Sequence, residues 1–239
     1  MQFRNVLFAA LVCITMAVFV QAQPVPPAAT PAQLDGPFQV SYANNPGSGA
    51  LGLESYINMI NTGANGASTL GPGLGGAVGN TCVNVYAFDP GEELIACCSC
   101  LLTPNQVVNF GINSGLLYKT QSQIVPSSVT IKLLNSLAGA TGSGSSATAC
   151  ANSAYTVGQT QTGGQSFPIA AGLVAYVSTP GTANGTTWPF LLEHPFIPST
   201  LSAGELASIT GRCGSLIGNG SGYGICKGCT LGALGAAKL

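Results

Sequence analysis

The residues in this chain best suited to chemistry are its cysteines, and five of the nine crowd into two short stretches. Cys97, Cys98 and Cys100 lie within one run, and Cys226 and Cys229 form a C-x-x-C pair. Thiolates at such spacing can hold Zn²⁺ or a copper ion, or can cycle between thiol and disulfide. The same spacing serves plain disulfides when a protein folds in an oxidising compartment. The compartment therefore decides between them.

The N-terminus points to export. Arg4 gives a positive n-region, Val6 to Val20 is an uncharged apolar run, and Val20-Gln21-Ala22 offers a signal-peptidase site. The run is shorter than the roughly 18 residues a spanning helix needs, so cleavage after Ala22 is expected, with no transmembrane segment afterwards. Cleavage removes Cys13 and leaves an even set: Cys82, Cys97, Cys98, Cys100, Cys150, Cys213, Cys226 and Cys229. An even set in an exported chain is a disulfide framework, although the spacing does not choose its connectivity.

Neighbours on a strand point to opposite faces, so Cys97 and Cys98 are expected to take different partners. Cys82 is expected to join Cys97, Cys98 or Cys100 across a hairpin. Others of that trio would reach Cys213, Cys226 or Cys229, and Cys150 needs a distant partner. The alternative is a metal or thiol-redox centre at Cys97, Cys98, Cys100, Cys226 and Cys229. A redox centre is disfavoured because no βαβ pattern surrounds the C-x-x-C pair, which follows a helix instead of opening one.

Other chemistry is sparse, and no catalytic residue is assigned. His194 is the only imidazole, between Glu193 and Pro195, and no Gly-x-Ser-x-Gly elbow accompanies it. Of the seven carboxylates, Asp89, Glu92 and Glu93 read as turn residues and Glu205 as a helix cap. Asp35 lies in the Pro/Ala-rich linker, and Glu54 and Glu193 remain, with nothing in the sequence to pair them as a glycosidase would. The Gly71–Gly76 stretch lacks the Gly-Lys-Ser/Thr ending of a phosphate cradle. Trp188, Phe190 and Phe196, on a proline-rich segment, are the candidate ligand platform; the plainer reading is that they cap the end of a sandwich.

The elements that must position these groups are mostly strands. Cys82 to Phe88 alternates, Asp89-Pro90-Gly91 is turn chemistry with Gly91 the residue free to take positive φ, and Glu93 to Cys100 returns as the second half of a hairpin. Phe38–Tyr42, Tyr56–Asn61, Gln106–Ile112, Val129–Leu134, Ala154–Val157 and Gly172–Ser178 are further strand candidates. Three prolines hold Trp188–Pro198 out of helix. Ser202-Ala203-Gly204-Glu205 is a capping box, and Leu206, Ile209, Cys213, Leu216 and Ile217 share one helical face that ends near Asn219. The expected organisation is a signal peptide (1–22), a Pro/Ala-rich linker (23–37), a β-domain (38–200) and a helix plus Cys-rich appendix (201–239) packed on it. The expected fold is mostly β: an antiparallel β-sandwich or meander with a C-terminal helix stapled by disulfides.

Charged residues make up 5% of the chain, against roughly 25% in an ordinary domain. So few cations cannot neutralise a run of phosphates, which argues against nucleic-acid binding. A near-neutral surface also lacks the repulsion that keeps proteins apart, which leaves self-association open beside ligand binding.

Two blocks carry a resemblance. Asn84 to Cys100 followed by Thr103-Pro104-Asn105, and Leu201 to Cys213 with Asn219-Gly220-Ser221-Gly222-Tyr223-Gly224-Ile225-Cys226-Lys227-Gly228-Cys229, resemble segments of secreted proteins of soil bacteria, the acidobacteria especially. The resemblance covers about 60 residues in two blocks and implies a bacterial exported protein with no activity attached. Altogether the sequence points to a secreted or periplasmic protein, without cofactor, that acts on itself or on a cell-surface or extracellular ligand.

Overall fold

Strand pairing follows the alternation. A computed structural model describes residues 34–45, 54–69, 78–138, 150, 168–182 and 189–227; at Phe110, Gly181, Thr182, Pro189 and Phe190 it describes the backbone alone. The strands are β1 (Phe38–Asn44), β2 (Tyr56–Asn61), β3 (Thr81–Phe88), β4 (Leu94–Leu102), β5 (Val107–Gly111), β6 (Ser128–Leu137), β7 (Leu173–Thr182), β8 (Pro189–Pro195) and β9 (Ile197–Pro198). A single π-helical turn, Ile112–Leu116, follows β5, and one helix, α1 (Ala203–Gly218), closes the fold. The 1–22 signal region, the linker as far as residue 33, Ala154–Val157, Trp188 and Cys229 lie outside the described residues.

Two antiparallel sheets form, ordered β4-β3-β6-β1-β9 and β5-β2-β7-β8. Their inner faces share one core: Val83, Val85, Ile131 and Leu133 from the first, Ile57, Met59, Ala175 and Val177 from the second. This is the expected sandwich. Residues 33–239 fall in one compact unit. Among the described residues no helix is long and apolar enough to cross a membrane.

The first sheet is covered on its outer face as well. Phe38, Tyr86, Phe88, Leu94 and Leu134 pack against Ile209 and Leu216 of α1, with Leu206, Cys213 and Ile217 beside them. These are the helical positions the periodicity picks out. Burial on both faces explains why β3 and β4 are buried along their whole length. Ser202 caps α1, accepting from the Glu205 backbone N–H. The Glu205 carboxylate leaves the box and meets Lys132 Nζ of β6 at 2.5 Å, so the cap residue also ties helix to sheet. Lys132 and Arg212 both lie over the Phe88 ring.

The β3–β4 hairpin turns at Asp89, whose carboxylate accepts the Gly91 and Glu93 N–H groups at 2.9 Å. Here the expectation fails in one detail. The residue with positive φ is Glu92 (66°), not Gly91, because the Asp89 carboxylate already bends the chain at Gly91.

Candidate functional site

The cysteines are structural staples. Cys97 bonds Cys213 on α1, Cys98 bonds Cys226, and Cys82 bonds Cys150. Cys100 is disulfide-bonded as well. Cys97 lies in the outer cluster under α1, and Cys98 and Cys100 in the inner core, so adjacent residues do staple opposite faces. The cross-hairpin pairing expected for Cys82 does not occur. Cys82 stands opposite Leu101 in the β3–β4 register and faces outward, whereas Cys98 and Cys100 stand opposite the inward Val85 and Val83. A partner on the outer face was needed, and Cys150 supplies it. The same geometry disfavours the metal reading, because sulfurs on opposite sheet faces cannot converge on one ion.

The Cys98–Cys226 bridge does a second job. β4 is an edge strand, and residues 224–226 run parallel along it: Ile225 bridges Cys97, and the Cys97 N–H donates to Gly224 O at 2.8 Å. The Gln121 N–H donates to Ile95 O at 2.8 Å on the same strand. The edge is thereby covered, as a long apolar edge requires.

The carboxylates separate. Glu54 accepts the Asn113 and Ser114 N–H groups at 2.7 and 2.9 Å, and the Ser114 hydroxyl, at the start of the π turn. A Cβ on Gly111 would overlap this carboxylate, so glycine there leaves the room that Glu54 needs to reach its three donors. Glu193 sits on β8, two or more strands away, roughly 10–14 Å at about 4.8 Å per strand. Glycosidase pairs stand about 5–9.5 Å apart, and Glu54 is committed to its turn. His194 alternates with Glu193 onto the other face of the exposed β8 and joins no acid or nucleophile among the described residues. Burial pushes the Tyr86 phenol far above its usual range, which keeps it neutral beneath α1.

Of the aromatic platform, Phe196 is core at 1% exposure, because the backbone after β8 turns it between the sheets with its N–H on Ala175 O. Trp188 and the Phe190 side chain lie outside the described residues. The proline-rich stretch is itself a strand. The Phe196 N–H bonded to β7 sets the phase of β8, so residues 195 and 189 turn their backbone nitrogens to the free edge. Both are prolines, which belong at such positions and remove the donors that a further strand would use.

What sequence reasoning missed is the outer face of the four-stranded sheet. Ile57, Met59, Val108, Ala175 and Val177 point inward, so Asn58, Asn109, Tyr176 and Ser178 point outward. Asn109 Nδ2 donates to Asn58 Oδ1 at 2.5 Å, Asn58 Nδ2 to Ser178 Oγ at 2.7 Å, and Ser178 Oγ to Glu193 Oε1 at 3.1 Å. This ladder crosses β5, β2, β7 and β8, every strand of the sheet. Tyr56 stands opposite Ser178 and Tyr176 opposite Asn58, so an aromatic diagonal crosses the polar one. Val107, Ile60 and Val174 form the next row. Among the described residues no element packs over this face, and Val107, Asn109, Leu191 and Glu193 on it are exposed. The available signal was the outward triplet Tyr56, Asn58, Ile60 inside a confident strand, but only the register joins it to Asn109 and Ser178.

No family model, curated protein or solved structure matches the chain.

Proposed function

We propose that this is an exported, disulfide-stapled β-sandwich that acts by binding, through the open face of its four-stranded sheet. The observation that carries the reading is the Asn109–Asn58–Ser178–Glu193 ladder. Its amides and hydroxyl are oriented in series from a terminal carboxylate, so the face is preorganised, and preorganisation lowers the cost of binding. Among the described residues nothing packs over this face, and although Ser178 is buried between its neighbours, the network lies outside the shared apolar core.

Export is supported by the N-terminal signal pattern and by a bridge framework that suits an oxidising compartment. Cleavage after Ala22, a cell-envelope or extracellular location and membership of an acidobacterial exported family are parts of this proposal. Binding is preferred to self-assembly because three of the four sheet edges are blunted: β8 by Pro189 and Pro195, β9 by its length of two residues, and β4 by residues 224–226; the fourth, β5, is a strand of only five residues.

Two measurements on the natively exported protein test the reading. Intact mass after alkylation under non-reducing conditions should match cleavage after Ala22 with no label, and sedimentation should give a single-copy mass. Alkylation of three or more cysteines, or sedimentation as a polymer, would overturn it.

A further inference from the structure

The ligand class can be read from the chemistry of the same face, an inference that rests on the binding proposal above. We propose that the open face takes a neutral, polyhydroxylated chain, a polysaccharide, laid across the strands.

Charge comes first. None of β5, β2, β7 and β8 contains Lys or Arg, so an anionic polymer would meet no counter-charge here. Glu193 is the single carboxylate on the ladder, and it takes part in a hydrogen bond from Ser178. One such group suits a hydroxyl donor better than a polycation. A peptide strand would seek a sheet edge, β5 or β8, and would leave the open face and its ladder unused; the β8 edge is also interrupted by proline at both outward ends.

The remaining groups match alternating hydroxyls and C–H surface. The ladder leaves Asn109 Oδ1 and Glu193 Oε2 as acceptors outside its own three bonds. Tyr56 and Tyr176 are half-buried, each offering a rigid ring and a hydroxyl at little entropic cost. A pyranose presents both kinds of surface at once: an apolar ring face for tyrosine and equatorial hydroxyls for the amides and carboxylate. Val107, Ile60 and Val174 extend the apolar side. The ladder spans three strand spacings, about 14 Å, longer than a single sugar ring, which favours a chain over a monosaccharide.

The test is electrophoresis of the full exported protein in native gels that contain a neutral β-glucan, xylan or mannan, or the anionic polymers alginate and polygalacturonate. At least one neutral polymer should retard it, and the anionic ones should not. Tyr176→Ala and the double variant Asn109→Ala/Glu193→Ala should each weaken retardation about tenfold or more. Glu193→Gln, which keeps an acceptor for Ser178, should weaken it less, and Ser215→Ala on the exposed side of α1 should not change it. Thermal melts identify any variant that fails to fold; for such a variant, Tyr176→Phe replaces Tyr176→Ala. Retardation by the anionic polymers with loss in the face variants would overturn the ligand class and leave the binding face standing. Retardation that survives in all face variants would overturn both, and no retardation by any neutral polymer would overturn the inference.

Discussion

The two sheets of this sandwich are finished differently. The five-stranded sheet is buried on both sides along β3 and β4: the core lies on one face, and α1 with two of the bridges, Cys97–Cys213 and Cys82–Cys150, lies on the other. The four-stranded sheet has the core on one face and, among the described residues, nothing packed on the other. Polar groups follow the same division. Within the first sheet, Asn84 Nδ2 is spent on the Leu134 carbonyl and Asn135 Nδ2 on the Ala170 carbonyl, so both amides are consumed on backbone. On the second, Asn58 and Asn109 bond to side chains and remain within reach of solvent. The difference separates a scaffold, where polar groups are consumed, from a surface where they are presented.

Breaking the closed sheet should have the largest effect. Removing the Cys98–Cys226 bridge by Cys98→Ala with Cys226→Ala opens a loop of 128 residues and uncovers the β4 edge. A loss of about 3–5 kcal/mol is expected from denaturant melts, with new hydrogen exchange at the Cys97 amide, whose N–H is bonded to Gly224 O.

Gly111→Ala comes next, because the added methyl displaces the Glu54 carboxylate from three hydrogen bonds. The expected cost is about 2–3 kcal/mol. Glu54→Ala should remove the overlap, so the double variant should be less destabilised than the sum of the two singles, a non-additivity that a double-mutant cycle measures.

Lys132→Gln loses the ion pair to Glu205 and the contact over Phe88, but both charged side chains are about a quarter to a third exposed. Solvent screening limits the loss to about 0.5–1 kcal/mol by chemical melt.

Asn109→Ala should change stability least, within about 0.5 kcal/mol, since Asn109 is exposed and its partner Asn58 is only half-buried. If it proved as costly as Gly111→Ala, the ladder would belong to the scaffold and the contrast between the sheets would fail.

How much was legible follows from which interactions are local. Asp89, the Ser202 cap and the Leu206–Ile217 face act within a turn or a helix, so their spacing showed the hairpin and α1. The opposed directions of Cys97 and Cys98 follow from the strand period alone. The partner of Cys82 was not legible, because inward and outward phases of β3 and β4 are fixed by pairing across the bulge near Ala87. β8 was hidden by its prolines, which suit a strand only when their nitrogens face a free edge. The Glu54–Gly111 contact and the Asn109–Asn58 and Asn58–Ser178 bonds of the ladder each join residues more than 50 positions apart. Nothing in Asn58 alone marks it; Asn109 and Ser178 do so, once register brings them alongside.

The central contrast is tested most directly by one paired measurement on Asn109→Ala/Glu193→Ala: its melting temperature and its retardation in a neutral-polysaccharide gel. The account expects melting within about 2 °C of the parent, with retardation lost. Unchanged retardation, or a melting temperature that falls together with binding, would contradict it.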